Sequence, residues 1–500
     1  MPSAPTSWGS HMPAQRPNIL FITTDQQRGD AVGVAGQSWL QTPTLDALAR
    51  DGYYLARCYS ETPVCVAART TWMTGQHPWA HGVFGNSRNP MNPENTLPGV
   101  LTRHGYRTHG AGKFHFTPDQ RMLNGFESTV ICEEGRMPEG DDYHHWLQTT
   151  PWAGLERAHG VGNNDIFAVP SPVPESHYVS TWTANEAIRF LHQHHAIEPE
   201  RPFYLHCSFT KPHSAYDPPR PYDELYAPDE VPEPWRNGKD MPESPPQLRR
   251  ANFEYTWHSL GPEQIALARA FYYGNITHLD HCIGRLLGVL DGLGLREDTV
   301  IVFNSDHGDL MGDHNLFFKS NFYEESTHVP LIVWAPEAIR NELDLGPSRR
   351  VDSLTSQEQL MPFMLSAAGA EIPPEVGTAP PLADVIAGRH PGEPVHGVFG
   401  NQDNRQLALI EERYKYIWWA NGRFEQLFDR QSDPTELTNL ADDPAYDDEL
   451  GRMRAALVEV VRAHGGHAAL DGDDLRGRDY DESRTRFGKR NPQPWGRRPY

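Results

Sequence analysis

A thiol that precedes an arginine by one helical turn is the chemically most informative feature of the chain. Cys65 and Arg69 lie in the stretch 62–75, where a loop is predicted to turn into a helix. The free N–H groups and dipole of a helix N-terminus favour negative charge. Arg69 shares a helical face with Cys65 and offers a two-pronged donor to tetrahedral oxygens. This favours a nucleophile that faces an anion, although the segment alone is equally typical of a buried cysteine beside a surface arginine.

Polar pairs also follow two predicted strands. Asp25-Gln26 comes after the strand 18–24, and Asp306-His307 comes after the strand 299–304. Either pair alone is more typical of a strand-terminal cap, but together with Cys65 they favour a metal site. Oxygen-rich donors suit calcium, magnesium or manganese better than zinc.

Three further segments supply candidate cations and proton carriers. Lys113 and His115 follow a predicted strand at 106–111, and strand alternation places them on the same side. Of these two side chains, one can neutralise an anion and the other can move a proton. His213 follows another strand and is a candidate acid for a leaving group, and Lys319 is close enough to Asp306 in sequence to reach the same pocket. Each motif alone is weak evidence.

Alternating strands and helices must position these residues. Helices are predicted at 45–52, 176–195 and 262–294, and strands at 18–24, 203–209 and 299–304. Such alternation implies a parallel sheet covered on both faces. Ligands bind beyond the carboxyl ends of strands in such sheets, so we expect Asp25 and Asp306 at that edge.

The remaining regions complete the predicted organisation. The stretches 121–174 and 211–249, rich in proline, glycine, aspartate and histidine, are interpreted as long loops that form the walls of the site. Strands at 405–419 and 424–428 and a helix at 449–464 indicate a smaller α+β domain. The predicted divisions are a leader at 1–16, a catalytic α/β domain at 17–390, a C-terminal domain at 391–470 and a basic tail at 471–500.

Composition limits the partners. The 500 residues carry a net charge of -22, which argues against binding to nucleic acid or to an anionic membrane, so an anionic substrate needs a local positive pocket. No apolar run is long enough to span a bilayer. Five scattered cysteines do not suggest a disulfide scaffold, and a cytoplasmic location is expected.

The two ends of the chain give weaker signals. The leader shows no apolar segment of a secretory signal, and Gly9-Ser10-His11-Met12 resembles a cloning scar. The basic tail carries Trp495 and Tyr500. It is interpreted either as a segment that docks on the acidic body or on a neighbouring subunit, which would give a homo-oligomer, or as a solvated tail.

Taken in order, these motifs resemble the type I sulfatases of the alkaline phosphatase superfamily. The similarity runs from about residue 17 to residue 464. The resemblance implies a large mixed, mainly parallel sheet sandwiched by helices, as in alkaline phosphatase, with the smaller C-terminal α+β domain. The motifs outside the site that carry it are 18–24, 327–332, 413–416, 427–429, 433–436 and 439–440.

The resemblance also implies a mechanism. Cys65 would be oxidised to formylglycine by a formylglycine-generating enzyme, and the hydrate of that aldehyde would attack sulfur and displace the alcohol. Its second hydroxyl would then expel sulfate. The implied metal ligands are Asp25, Gln26, Asp306, His307 and the oxygen derived from Cys65, with calcium expected and manganese or magnesium as alternatives. Further implied roles are Arg69 holding the formylglycine, Lys113 and Lys319 on the sulfate oxygens, His115 assisting the hydrate, His213 facing the leaving oxygen and Asn86 contacting sulfate.

Three positions depart from the usual sulfatase pattern. Ala67 stands where proline is usual, Gln26 where many members have aspartate, and His307 where several have asparagine. The last two also resemble phosphonate monoester hydrolases. The leading hypothesis is hydrolysis of a small-molecule or carbohydrate sulfate monoester. The alternatives are a phosphonate monoester hydrolase or phosphodiesterase, and a non-catalytic binding protein in which Cys65 stays a thiol.

Overall fold

The computed structural model describes residues 16–484, apart from 136–137, 237, 239–240 and 378. Within these residues, nine strands form a central sheet in the order β4-β3-β5-β1-β6-β7-β2-β8, with β9 beside β2. Strand β7 runs antiparallel to both of its neighbours, and the other pairs are parallel. The strands are β1 Asn18–Asp25, β2 Tyr53–Tyr59, β3 Arg107–Gly112, β4 Ser128–Ile131, β5 Phe203–Pro212, β6 Thr299–Ser305, β7 His328–Trp334, β8 Arg349–Val351 and β9 Thr355–Ser356.

Helices cover both faces of this sheet. Side chains of α1, α6 and α8 pack on one face, and those of α2, α4, α11 and α12 pack on the other. The predicted sandwich, with a mixed and mainly parallel sheet, is therefore confirmed. The helices are α1 Pro43–Asp51, α2 Cys65–Thr74, α3 Pro78–His81, α4 Leu97–Arg103, α5 Asp142–Gln148, α6 Val179–Ile197, α7 Pro246–Glu254, α8 Pro262–Gly292, α9 Glu324–Thr327, α10 Glu337–Glu342, α11 Leu360–Ala367, α12 Leu382–Ala387 and α13 Asp447–Ala463.

Strand β1 shows how the sequence produces this arrangement. All eight of its residues are buried, and alternate side chains enter the two opposite cores: Ile19 and Phe21 one, Leu20 and Ile22 the other. A nearly continuous apolar run is expected for a strand covered on both faces. Because β1 and β6 are parallel and Thr24 pairs with Ser305, Asp25 and Asp306 meet at the same sheet edge, as predicted.

A second, antiparallel sheet follows in the order β10-β11-β12-β13, and α13 packs against it. The predicted strand at 405–419 is two strands joined by a turn. Thr62, in the loop before α2, donates to the Val398 carbonyl at 2.7 Å, so β10 holds the loop that leads to Cys65. The strands are β10 Val395–Phe399, β11 Gln406–Ile410, β12 Tyr414–Trp419 and β13 Phe424–Asp429, with a later hairpin of β14 Leu470–Asp471 and β15 Asp474–Leu475.

The predicted long loop at 121–174 contains regular structure. Strand β4 pairs with the sheet edge at β3, and α5 begins after Asp141, whose side chain accepts the backbone N–H of His144. The strand is short and only partly buried, so it lacks the apolar run that would reveal it in the sequence. Similarly, α7 begins inside the predicted loop 211–249.

Some predictions remain untested. No helix in the described part of the chain is long and apolar enough to cross a membrane. The cytoplasmic location and the domain boundaries stay predictions. Most of the leader, and the tail beyond residue 484 with its proposed subunit contact, lie outside the described residues.

Candidate active site

Cys65 is the first residue of α2, as the sequence predicts. The preceding Val64 is extended, and Cys65 is buried with 1 % of its surface exposed. Asn86 accepts the backbone N–H of Val66 at 3.0 Å, so it caps this helix from outside. Burial and Asp25 raise the pKa of the Cys65 thiol, but nearby cations, Lys319 first among them, bring it below its ordinary value. The sulfate contact of Asn86 stays a prediction.

Four buried side chains converge at the edge of the sheet. One donor atom from each of Asp25, Cys65, Asp306 and His307 lies within 4.8 Å of the others. The Cys65 sulfur is 3.2 Å from Nε2 of His307. Nδ1 of His307 lies 2.9 Å from the Gly308 carbonyl and donates to it, which leaves the Nε2 lone pair directed at the cluster. Two carboxylates and an imidazole that converge in this way are a donor set that fits a divalent cation.

Arg69 joins the two aspartates of this cluster. Its Nε donates to Asp306 at 3.0 Å, and Nη2 donates to Asp25 at 3.1 Å. Nη1 donates to the Lys113 carbonyl at 2.6 Å and to Ser208 Oγ at 2.9 Å. The guanidinium N–H groups, which the sequence analysis expects to bind a tetrahedral anion, therefore bind the cluster and its neighbours instead. Its contact with formylglycine stays a prediction.

Charge around Asp25 keeps it ionised. Burial raises the pKa of its carboxyl, but the positive charges of Lys113 and then Arg69 outweigh burial and hold the pKa well below the usual value. The Lys113 ammonium is 2.7 Å from Asp25 Oδ2 and is itself fully buried. An ionised aspartate at this position favours cation binding.

Gln26 connects the cluster to Lys319. Its backbone N–H donates to Asp306 at 3.0 Å, and its side-chain nitrogen donates to Asp309 at 2.5 Å. Its side-chain oxygen accepts from the Lys319 ammonium. The amide is thus oriented by Asp309 with its oxygen toward Lys319. Its predicted role as a metal ligand remains untested.

His213 lies next to the cluster with its Nδ1 engaged. That nitrogen is 2.8 Å from the Ser214 carbonyl and 3.2 Å from a carboxylate oxygen of Glu134. Burial, followed by Lys319, lowers the pKa of His213 to about 3, against the opposing effect of Glu134 and Asp25. The ring is therefore neutral when no substrate is bound.

Strand alternation, on which the prediction for His115 depends, ends before this residue. Strand β3 ends at Gly112, and His115 has a left-handed backbone with φ of 56°. Its backbone N–H donates to Glu133 at 2.7 Å. Strand alternation therefore does not extend to position 115, and the assistance of His115 to the hydrate stays a prediction.

Sequence reasoning missed three residues that support the site. Ser208 donates to the Lys113 carbonyl at 2.5 Å, and Asp309 accepts from Gln26 and from Tyr216. Glu134 lies 2.9 Å from the Lys113 ammonium. Asp309 follows the predicted pair Asp306-His307 by two residues, which is a signal in the sequence. Glu134 lies in a stretch interpreted as loop, and Ser208 lies inside a buried strand.

Comparisons with known proteins agree with this geometry. The family model for sulfatases matches residues 17–370, and a model described as N-sulphoglucosamine sulphohydrolase, C-terminal, matches residues 312–463. An arylsulfatase of Clostridium perfringens is 32 % identical over 467 residues, which cover 89 % of this chain and 94 % of that protein. A choline-sulfatase of Rhizobium meliloti is 31 % identical, with 87 % and 84 % covered.

A solved structure extends the comparison to the fold. The phosphonate monoester hydrolase of Agrobacterium radiobacter superimposes with a TM-score of 0.78 at 26 % identity, covering 90 % of this chain and 96 % of that chain. Both the family model and the relatives therefore span most of the described residues. The chain belongs to the sulfatase family, the type I sulfatases of the alkaline phosphatase superfamily, and is a sulfuric ester hydrolase.

Proposed function

We propose that this enzyme hydrolyses an organic sulfate monoester to an alcohol and inorganic sulfate, with Cys65 oxidised to formylglycine and a divalent cation held by Asp25, Asp306 and His307. The observation that carries the proposal is the convergence of these three donors on Cys65 within 4.8 Å. A formylglycine-generating enzyme is the maturation partner. Oxygen donors make Ca²⁺ the expected ion, with Mn²⁺ and Mg²⁺ as alternatives. When bound, a divalent cation supplies a Lewis acid beside the nucleophile.

The residues of the chain then divide the work. Arg69 holds the carboxylates of Asp25 and Asp306 in place through Nη2 and Nε. The buried Lys113 ammonium lies 2.7 Å from Asp25 Oδ2, whereas Lys319 is half-buried. Two fixed cations can stabilise charge that builds on the sulfate oxygens, because preorganised charges need no reorientation during the reaction.

Cleavage of the ester also requires a proton for the alcohol. When the S–O bond breaks, its electron pair passes to the alcohol oxygen, and a general acid that protonates that oxygen lowers the barrier. His213 is the proposed acid through Nε2, since Nδ1 is already engaged. The pKa of its ring is lowered without substrate, so a bound anionic ester must favour the protonated ring.

The substrate class is a small-molecule or carbohydrate sulfate ester. The relatives named above are an arylsulfatase and a choline-sulfatase, so 4-nitrophenyl sulfate and choline sulfate are the first esters to assay, followed by a sulfated monosaccharide. Release of inorganic sulfate by the parent protein, and its loss on adding a chelator and in Cys65→Ala, would support the proposal. Binding of these esters without turnover, by parent protein in which Cys65 stays a thiol, would favour a non-catalytic binding protein.

Phosphonate monoesters are the second candidate. Gln26, which stands where many sulfatases have aspartate, and the superposition on a phosphonate monoester hydrolase favour this alternative. The two functions are separated by comparing kcat/KM for a sulfate monoester and a phosphonate monoester of the same phenol on one preparation. We expect the sulfate ester to be the better substrate, and the reverse order would assign the alternative function.

A further inference from the structure

A carboxylate outside the predicted site lies between two of its working groups. Glu134 places one oxygen 2.9 Å from the Lys113 ammonium and the other 3.2 Å from Nδ1 of His213. Its side chain is 8 % exposed. The same carboxylate thus contacts Lys113, the cation proposed to stabilise the sulfate oxygens, and His213, the proposed acid for the departing alcohol.

The segment that carries Glu134 is held by several bonds. The Cys132 N–H donates to the Gly112 carbonyl at 3.0 Å, which fastens the segment to the end of β3. Asp141 accepts the backbone N–H of Glu133 at 2.8 Å. Glu134 itself has a left-handed backbone with φ of 58°. A non-glycine residue adopts that conformation only where its surroundings impose it, and such positions concentrate at functional sites.

The contact with Glu134 bears on the orientation of His213. Both neighbours of its Nδ1, the Ser214 carbonyl and the Glu134 carboxylate, are acceptors, so Nδ1 carries a proton. Nε2 is therefore the ring nitrogen left for the ester. A carboxylate at Nδ1 also favours the doubly protonated ring, which is the form that can give up a proton at Nε2.

We propose that Glu134 is a positioning residue that acts through His213 on the departing alcohol, an inference that rests on the proposed sulfatase function. As the S–O bond breaks, its electron pair goes to the alcohol oxygen and the Nε2 proton of His213 follows. The ring is left neutral with its Nδ1 proton between the Ser214 carbonyl and the Glu134 carboxylate, and a proton from water restores the protonated ring. The carboxylate itself stays ionised throughout.

The leaving group provides the test. Glu134→Gln keeps the shape of the side chain and removes its charge. An alkyl sulfate has a poor leaving group that needs the acid, whereas 4-nitrophenolate leaves largely without one. We expect kcat/KM to fall about 100-fold for the alkyl ester and less than about tenfold for 4-nitrophenyl sulfate. Equal losses for both esters, or no loss, would overturn the inference.

Controls separate positioning from folding. Glu156→Gln is the matched control, because Glu156 lines the same cavity of about 50 Å³ as Glu134 but contacts His144 at 3.2 Å instead. Glu156→Gln should leave the ratio of the two kcat/KM values unchanged. Glu134→Asp is the second variant, for the case that Glu134→Gln has a lower melting temperature than the parent. Because Glu134→Asp retains the charge, its ratio of the two kcat/KM values should be closer to that of the parent than the ratio of Glu134→Gln is. A shift of the ratio in Glu156→Gln as large as that in Glu134→Gln would overturn the inference.

A spectroscopic readout keeps the inference independent of turnover. In ¹⁵N-histidine-labelled protein, with His213 assigned through His213→Gln, the Nδ1 proton of His213 should resonate far downfield because a carboxylate lies beside its hydrogen bond to the Ser214 carbonyl. In Glu134→Gln it should move upfield, and an unchanged resonance would overturn the inference. If the parent releases no sulfate but its resonance still moves upfield in Glu134→Gln, the sulfatase proposal is refuted and the contact between Glu134 and His213 is not.

Discussion

The bond network of Arg69 makes the replacement Arg69→Lys a sensitive probe of the metal site. The guanidinium donates to Asp306 at 3.0 Å and to Asp25 at 3.1 Å, and all three side chains are buried. Lysine keeps the positive charge but presents it as a single point on a flexible stem. It can therefore hold one of the two carboxylates, while the other is free to turn away from the cluster.

The size of the effect follows from the bonds lost. A hydrogen bond to a charged group contributes about 1.5–3 kcal/mol. Loss of one carboxylate contact, at about 1.4 kcal/mol per tenfold change, weakens divalent-cation affinity by about 10- to 100-fold. Because the net charge is conserved, a change of this size reports geometry rather than long-range electrostatics.

Calorimetric titration of chelator-stripped protein with Ca²⁺ and with Mn²⁺ measures the effect without requiring turnover. Arg57→Lys is the control, because Arg57 donates at 2.8 Å to the backbone carbonyl of Glu412, away from the cluster. Its cation affinity should equal that of the parent. If Arg69→Lys binds cations as tightly as the parent at an unchanged melting temperature, the assignment of Arg69 as the link between the two carboxylates is wrong.

Three further predictions concern catalysis, maturation and acid stability. Lys319→Met removes a cation proposed for the sulfate oxygens, so kcat/KM for 4-nitrophenyl sulfate should fall about 100-fold, with cation affinity no lower than in the parent. Ala67→Pro restores the usual motif at the third residue of α2, where proline fits the first helical turn, so mass spectrometry should show more complete conversion of Cys65. His396 stacks on His77 at 4.0 Å, and burial lowers its pKa to about 3; His396→Phe keeps a ring and should reduce the loss of melting temperature between pH 7 and pH 5.

The sign of the acid effect follows from proton binding. Between pH 3 and the ordinary pKa of 6.5, the unfolded chain binds a proton at His396 that the folded protein excludes, so stability falls as the pH is lowered. One such histidine costs about 2 kcal/mol at pH 5. An unchanged pH dependence in His396→Phe would contradict this reasoning. Unchanged turnover in Lys319→Met, or less conversion in Ala67→Pro, would contradict the other two.

Much of the site was predictable because regular structure positions it. Parallel strands place their carboxyl ends at one edge, so the ends of β1 and β6 bring Asp25 and Asp306 together once both strands are recognised. Cys65 is placed by the start of α2, which the sequence marks by a change from loop to helix. Periodicity and strand-end rules are sufficient for these residues.

The contacts that tune the site were not predictable in the same way. The spacing of Cys65 and Arg69 shows that they share a helical face, but it does not show which groups contact that face. In the structure, Arg69 contacts two carboxylates. Glu134 reaches Lys113 and His213 from a partly irregular segment, where no periodicity links sequence position to direction. Strand alternation cannot place His115, because β3 ends three residues earlier.

The central claim is that Cys65 becomes the nucleophile of a sulfatase. Its most direct test is the mass of the peptide containing Cys65, from protein produced with a formylglycine-generating enzyme, measured beside sulfate release by the same preparation. The account predicts that an aldehyde replaces the thiol and that activity rises in proportion to the converted fraction. A thiol that persists in protein fully active on sulfate esters, or a converted protein that releases no sulfate from any ester, would contradict it.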